Sequence, residues 1–163
     1  MKAIIGAGLV LIGILASVIL THAKDFSGNV VDVPEGDMIV VARGQDEIRI
    51  RLEGVDAPEP NQSYGPHARE FTSRRALGKS VVVLTKSEDK YGYGWVVGEV
   101  ILPDGANLSH DLLKAGYAWW YRAYSNDKTL GQMEEEARKA RRGLWADLKP
   151  QPPWEWRKAR GPK

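Results

Sequence analysis

The chain has 163 residues, with 23 lysines and arginines against 21 aspartates and glutamates, so its formal net charge is +2. This length is sufficient for one domain with a complete hydrophobic core. The near balance of charge does not by itself indicate a nucleic-acid partner. The absence of cysteine excludes disulfides and thiolate zinc sites, so any metal must be held by oxygen or imidazole.

The first 23 residues carry a single lysine followed by an uncharged, mostly apolar run from Ala3 to Leu20. This pattern predicts a targeting segment outside the fold. Small residues at positions 21 and 23 suit cleavage before Lys24, whereas the length of the run is nearly enough to span a bilayer. We expect a cleaved signal peptide or an uncleaved anchor, and the third alternative is a buried core helix. Either of the first two makes the protein exported, periplasmic or secreted, or anchored with its domain outside the cytoplasm.

The next segments predict three strands in a meander, with turns at Gly36 and at Gly44-Gln45. Their sequences are NVVDV, DMIVVAR and EIRIRLEG. Strand side chains alternate between two faces, so the third strand presents two arginines on the face opposite its apolar residues. The arginines are Arg49 and Arg51, and the apolar residues are Ile48, Ile50 and Leu52.

The rest of the domain predicts a helix over 65–78, two more strands, and two further helices. The strands are SVVVLTK and WVVGEVIL, the second helix is LSHDLLKAG, and the third carries an apolar stripe at Leu130, Met133, Ala137 and Ala140. The fold class is therefore α+β, mainly β: a five-stranded Greek-key barrel of the OB type with three helices packed on it, over residues 24–148.

Residues 149–163 form a proline-rich, tryptophan-containing and basic C-terminal tail. Prolines favour extended chain, so we expect a strap that lays Trp154 and Trp156 on the domain surface. Disorder is the alternative, although it would leave both tryptophans exposed.

Four charged residues are candidates for a site at the second and third strands. If the hairpin closes at Gly44-Gln45, Asp37 and Asp56 lie side by side, which is a plausible calcium site. Pro58 would hold Glu59 where it can act on water, and Arg51 would neutralise a phosphate oxygen. From spacing alone, a solvated polar turn is the more common interpretation of such a segment.

The ordered motifs of the chain resemble those of the staphylococcal-nuclease-like, or thermonuclease, family. They are VPEGDMIVV, RLEGVDAPE, SYGPHAREF, DKYGYGW, LPDGANLSHDLLKAGYAWWY and EEEARKARRGLWAD, and they extend from about residue 30 to residue 147. The resemblance implies an OB-type barrel and a calcium-dependent enzyme that hydrolyses phosphodiester bonds of DNA and RNA.

The resemblance also implies roles for single residues. Asp37 and Asp56 would be Ca²⁺ ligands together with the carbonyl of Ala57. Glu59 would be the general base or the residue that positions the water, and Arg51 would be one of two arginines that hold the scissile phosphate. Substrate contacts are expected from a group of loop residues. These are Lys90, Tyr91, Tyr93, Tyr121 and Tyr124.

Two positions depart from the family pattern. Met38 stands where a threonine hydroxyl is usual, so it cannot hydrogen-bond around the metal site. The second arginine is replaced by Tyr93, or by Trp95 if two residues are inserted, which removes a charged bidentate donor. Arg69 and Arg122 are possible substitutes, or else ordinary surface arginines.

Two hypotheses follow for function. The first is an exported calcium-dependent nuclease, slowed by the missing arginine. The second is a non-catalytic OB-type module that binds single-stranded nucleic acid or a protein. We expect single-stranded DNA or RNA as the partner, a monomer, and membrane contact only through an uncleaved N-terminal segment.

Overall fold

The computed structural model describes residues 25–87 and 94–161. The strands and helices follow one another in chain order. They are β1 (Phe26–Glu35), β2 (Met38–Arg43), β3 (Asp46–Leu52), β4 (Val55–Asp56), α1 (Gly65–Ala76), β5 (Ser80–Ser87), β6 (Trp95–Ile101), α2 (Leu108–Ala115), β7 (Trp119–Trp120), α3 (Lys128–Lys139), a 3₁₀ turn (Gly143–Ala146) and α4 (Pro153–Arg160).

Five strands close into a barrel in the order β1, β2, β3, β6, β5, and this confirms the predicted OB-type α+β fold. The first three strands form the expected meander, and β3 then pairs in parallel with β6. Closure leaves no free strand edge in the barrel. The short strands β4 and β7 form a separate antiparallel ladder beside it.

The barrel interior is filled by aliphatic side chains from alternate strand positions, as the period of two requires. Ile39, Val41, Ile50 and Leu52 are almost completely buried, whereas Arg49 on the other face of β3 is exposed. The predicted division of β3 into an apolar and a basic face is therefore confirmed. Leu112, Leu113 and Leu130 from α2 and α3 extend the same core outside the barrel.

The helix count was predicted one too low, because the tail is not extended throughout. Residues Pro153–Arg160 form α4, which begins with proline in its first turn and carries Arg157, Lys158 and Arg160 in its last turn. Both features favour a helix, since proline needs no N–H there and cations complement the helix dipole.

Within 25–87 and 94–161, no helix is long and apolar enough to cross a membrane. The predicted targeting segment lies outside the described residues.

Candidate functional site

Asp37 lies in the turn between β1 and β2, at the edge of the barrel. Its neighbour Met38 pairs with Arg51 on β3, and the Asp37 carbonyl accepts a hydrogen bond from the Leu52 N–H at 2.9 Å. The carboxylate is buried, and its Oδ2 accepts the N–H of Ala57 at 3.2 Å. The β2–β3 register therefore places the Asp37 carboxylate next to Ala57, and so beside Asp56, as the sequence predicted.

Gly36 fixes the position of Asp37 by close packing. A Cβ at this glycine would stand less than 3 Å from the Cβ atoms of Ala57 and Ala68. The Gly36 carbonyl also accepts a hydrogen bond from the buried Thr72 hydroxyl on α1. The turn before Asp37 is thus held between α1 and the segment that follows β4.

Replacing Gly36 with alanine is expected to lower the free energy of unfolding by about 1–3 kcal/mol, because an added methyl in a packed site forces its neighbours apart. The rate of the phosphodiester hydrolysis that the resemblance implies should fall as well, since Asp37 would shift relative to Ala57. Urea unfolding and a cleavage assay measure the two effects.

Gly44→Ala is the control: a Cβ there meets no atom within 4 Å, so only the cost of its positive φ is expected and the rate should not change. Equal rates for wild type and Gly36→Ala would contradict this role.

Asp56 ends the two-residue strand β4, which pairs with β7 in the register Val55 to Trp120 and Asp56 to Trp119. Its side chain is completely buried. The ladder is supported from α3, where the buried carboxylate of Glu134 accepts the Trp120 N–H at 2.6 Å. The backbone of Asp56 is therefore fixed by residues more than 60 positions further along the chain.

Arg51 joins the two buried acids. Its Nη2 lies 3.0 Å from Oδ2 of Asp37 and 3.0 Å from Oδ1 of Asp56. Burial acts to lower the pKa of this guanidinium, but the charges of Asp37 and Asp56 outweigh burial and raise it. Burial raises the pKa of the Asp37 carboxyl to about 6, although Arg51 opposes that shift. The arginine thus provides countercharge for a carboxylate pair that would otherwise be costly to bury.

Glu59 is positioned by the buried side chain of Gln62. The Gln62 Oε1 accepts the Glu59 N–H at 3.1 Å, and the Glu59 carbonyl accepts the Gln62 N–H at 2.8 Å. Gly65 completes the loop, because any Cβ there would collide with the Glu59 carbonyl. Gln62 and Gly65, whose roles here the sequence did not indicate, therefore hold the backbone of the Glu59 loop.

The structure adds an arginine that sequence reasoning missed. Arg157 of α4 donates from Nη2 to Asp56 Oδ2 at 2.8 Å and from Nη1 to Asp56 Oδ1 at 3.1 Å. Its Nη1 also lies 2.8 Å from Glu59 Oε1. Asp56 is thus held between two guanidinium groups, one from β3 and one from the C-terminal helix.

The predicted substrate contacts are only partly within the described structure. Tyr121 follows β7, and burial together with the charge of Asp56 raises the pKa of its hydroxyl. Tyr124 is 75% exposed, with its ring centroid 4.7 Å from that of Tyr121. Trp95 begins β6 opposite Arg49. The other three predicted contacts, Lys90, Tyr91 and Tyr93, lie outside the described residues.

The two proposed substitutes for the missing arginine bind elsewhere. Arg69 donates its Nε to the Val33 carbonyl at 2.7 Å. Arg122 pairs with Glu134 at 3.2 Å and lies over the Trp120 ring. Each has a structural partner that accounts for its position.

The donor set suits a cation that prefers oxygen ligands. Asp37 and Asp56 supply two buried carboxylates, and the Ala57 carbonyl and water would have to complete the ligand shell. Among the residues that the structure describes, no group of three or more acids or histidines meets the geometry of a metal site. Two carboxylates and one carbonyl fill only part of the about six to eight positions around a hard cation, and water would fill the others.

Comparisons with known proteins show which family the sequence resembles. A family model described as staphylococcal nuclease homologue matches residues 49–147. A protein of Escherichia coli named as an uncharacterized endonuclease is 41% identical over 133 residues, which cover 82% of this chain and 86% of the relative. A micrococcal nuclease of Shigella flexneri is 38% identical over 143 residues, covering 83% of this chain and 82% of the relative. The matched family segment includes Arg51, Asp56 and Glu59, whereas Asp37 and Arg157 lie outside it.

Proposed function

The chain belongs to the staphylococcal nuclease family and is a nuclease, and we propose that it hydrolyses phosphodiester bonds of DNA and RNA in a calcium-dependent reaction outside the cytoplasm. The observation that carries the proposal is the buried pair Asp37 and Asp56 bridged by Arg51 at one edge of the barrel, with Glu59 linked to Asp56 through Arg157. Relatives named as nucleases favour this function over the non-catalytic binding module.

The proposed chemistry assigns separate tasks to the acids. Asp37, Asp56 and the Ala57 carbonyl would hold Ca²⁺, which when bound would neutralise the two acids and polarise a phosphate oxygen. Glu59 lies in a loop whose backbone is fixed by Gln62, and Arg157 Nη1 bonds both its carboxylate and that of Asp56. Glu59 would accept the proton of the attacking water.

Arg51 would act on the phosphate itself. The attack forms one phosphorus–oxygen bond and breaks the bond to the leaving sugar oxygen, which then takes a proton from solvent. Negative charge grows on the phosphate oxygens during this exchange, and a guanidinium that is already held in place stabilises that charge without reorganising. The single-stranded form is the proposed substrate, because unpaired bases can stack on exposed aromatic rings such as Tyr124.

The proposal of calcium dependence and the proposal of export are based on different features of the chain. Calcium is favoured because the donors are all oxygen and the chain contains no cysteine. Export is proposed from the apolar run at positions 3–20. An exported protein meets abundant calcium, so the two proposals support each other.

Cleavage of labelled single-stranded DNA and RNA by the full chain tests the calcium dependence. We expect activity with millimolar Ca²⁺, less with Mg²⁺, and none with EDTA. Calorimetry with Ca²⁺ alone should show binding to wild type that is lost in Asp37→Asn and kept in Asp46→Asn, a control at an exposed turn of the same hairpin. Undiminished cleavage in EDTA, or unchanged calcium binding by Asp37→Asn, would refute the proposed metal site.

A further inference from the structure

The C-terminal helix α4 is docked on the domain by aromatic packing. The Trp154 ring stacks on Tyr121, with centroids 5.6 Å apart and planes 8° apart, and meets Trp119 edge to face at the same distance. Pro153 is buried at the start of the helix. Because Trp119 pairs with Asp56 in the β4–β7 ladder, the helix packs directly on β7, the partner of the strand that presents that acid.

A second connection ties α4 to the loop of Glu59. The Gln62 side chain accepts the Glu59 N–H through Oε1 and donates through Nε2 to the Gln151 carbonyl at 2.7 Å. Gln62 is buried, so both hydrogen bonds are shielded from water. One amide group thus sets the position of α4 relative to Glu59.

Arg157 lies one helical turn beyond Trp154 and on the same face, which brings its guanidinium to the site. It spans the two acids: the bond from Nη1 to Glu59 is 2.8 Å, and both nitrogens bond Asp56. Hydrogen bonds from Asp56 and Glu59 hold its pKa above the ordinary value for arginine. Its side chain is 38% exposed, so the group reaches the solvent side of the carboxylates, where a substrate arrives.

The charges around Asp56 indicate how Arg157, placed beside this acid, could bind a phosphate group. Asp37, Asp56 and Glu59 lie against two guanidinium groups, and the charge of Glu35 also acts on Asp37 and Arg51. A divalent cation bound by the acids would neutralise the excess negative charge and leave the guanidinium groups free to bind a phosphodiester. Guanidinium groups on both sides of Asp56 provide donors from two directions for such a group.

We propose that Arg157 is the second phosphate-binding arginine of this nuclease, supplied by the C-terminal helix in place of the arginine missing near positions 93–95. In the substrate complex the guanidinium of Arg157 gives up part of its hydrogen bonding to Asp56 and donates to a phosphate oxygen instead. The carboxylate of Asp56 is then available to bind the cation. Arg157 is therefore a catalytic residue. The proposal rests on the calcium-dependent function above.

The test compares Arg157→Ala, Arg157→Gln and Arg157→Lys in the full chain, with a single-stranded oligodeoxynucleotide and saturating Ca²⁺. Loss of one preorganised charged donor should lower kcat by about 10²-fold or more, with a smaller change in KM. Lysine should recover part of the loss, because it keeps the charge but not the two-pronged contact. Calorimetry with Ca²⁺ alone should show affinity no weaker than that of wild type, since a competitor for Asp56 is gone.

Lys158→Ala is the matched control, because it removes the same charge from an exposed neighbouring position of the same helix. Arg157→Gln preserves most of the side-chain length if the alanine variant folds poorly. The proposal is overturned if the variants cleave at or above the wild-type rate, which would mean that α4 only covers Asp56. It is equally overturned if kcat and calcium affinity fall together, as a purely structural role would require. Failure of calcium dependence itself would appear in wild type, with no variant needed.

Discussion

Glu59→Gln is expected to lower kcat by about 10²- to 10⁴-fold, because the amide cannot accept the proton of the attacking water. Glutamine has nearly the same volume as glutamate, and the backbone bonds between Glu59 and Gln62 do not involve the carboxylate. The fold and the calcium affinity should therefore be preserved. Steady-state cleavage of a single-stranded oligonucleotide, together with calcium calorimetry, measures both quantities.

Glu47→Gln serves as the control for this experiment, since Glu47 is exposed on β3 and lies at the far end of the β2–β3 ladder from Arg51. Its rate should equal that of wild type. A Glu59→Gln variant that retains the wild-type kcat would show that another group takes the proton, and the assignment of the general base would be wrong.

Arg51→Ala is expected to reduce kcat by about 10³-fold, because an arginine at a transferring phosphate stabilises charge that develops in the transition state. The metal-free protein should also lose about 3 kcal/mol of stability, since Asp37 and Asp56 are left buried with less countercharge. Calcium should restore much of that stability by binding between the same acids. Thermal unfolding with and without Ca²⁺, alongside the cleavage rate, separates the two effects.

Arg49→Ala provides the comparison, because Arg49 lies two residues away on the same face of β3 and is exposed. It should leave both rate and stability close to wild type. If Arg51→Ala is slow only because it is unfolded, calcium that restores its fold would also restore its rate, and the proposed contact with phosphate would be excluded.

The barrel and half of the site could be predicted from local patterns. Alternation along β3 separates Ile50 from Arg51, and a hairpin turn at Gly44 then places Asp37 beside that arginine. Such inferences succeed because strand period and antiparallel register are short-range properties of the chain. Whether these residues carry the chemical roles proposed for them stays a prediction.

Arg157 could not be predicted in the same way. It lies 101 residues from Asp56, and the periodic spacing of apolar residues within one helix or strand carries no information about a contact at that separation. The prolines before Trp154 were interpreted as extended chain, although proline in a first turn followed by Glu155 and a basic last turn is a helix signature. That signature indicates α4 but not the surface on which it packs, which depends on the contacts of Trp154 with the rings of Trp119 and Tyr121.

The ladder between β4 and β7 has a consequence for how the enzyme becomes active during folding. The β2–β3 hairpin can form early, because its partners are close in the chain, whereas Asp56 acquires its fixed position only when Trp119 closes a loop of more than 60 residues. Closing long loops costs conformational entropy before the contacts are gained, so such pairings form late. A chain in which only the β2–β3 hairpin has formed therefore still lacks a fixed Asp56, and we expect activity to appear only once the β4–β7 ladder is in place.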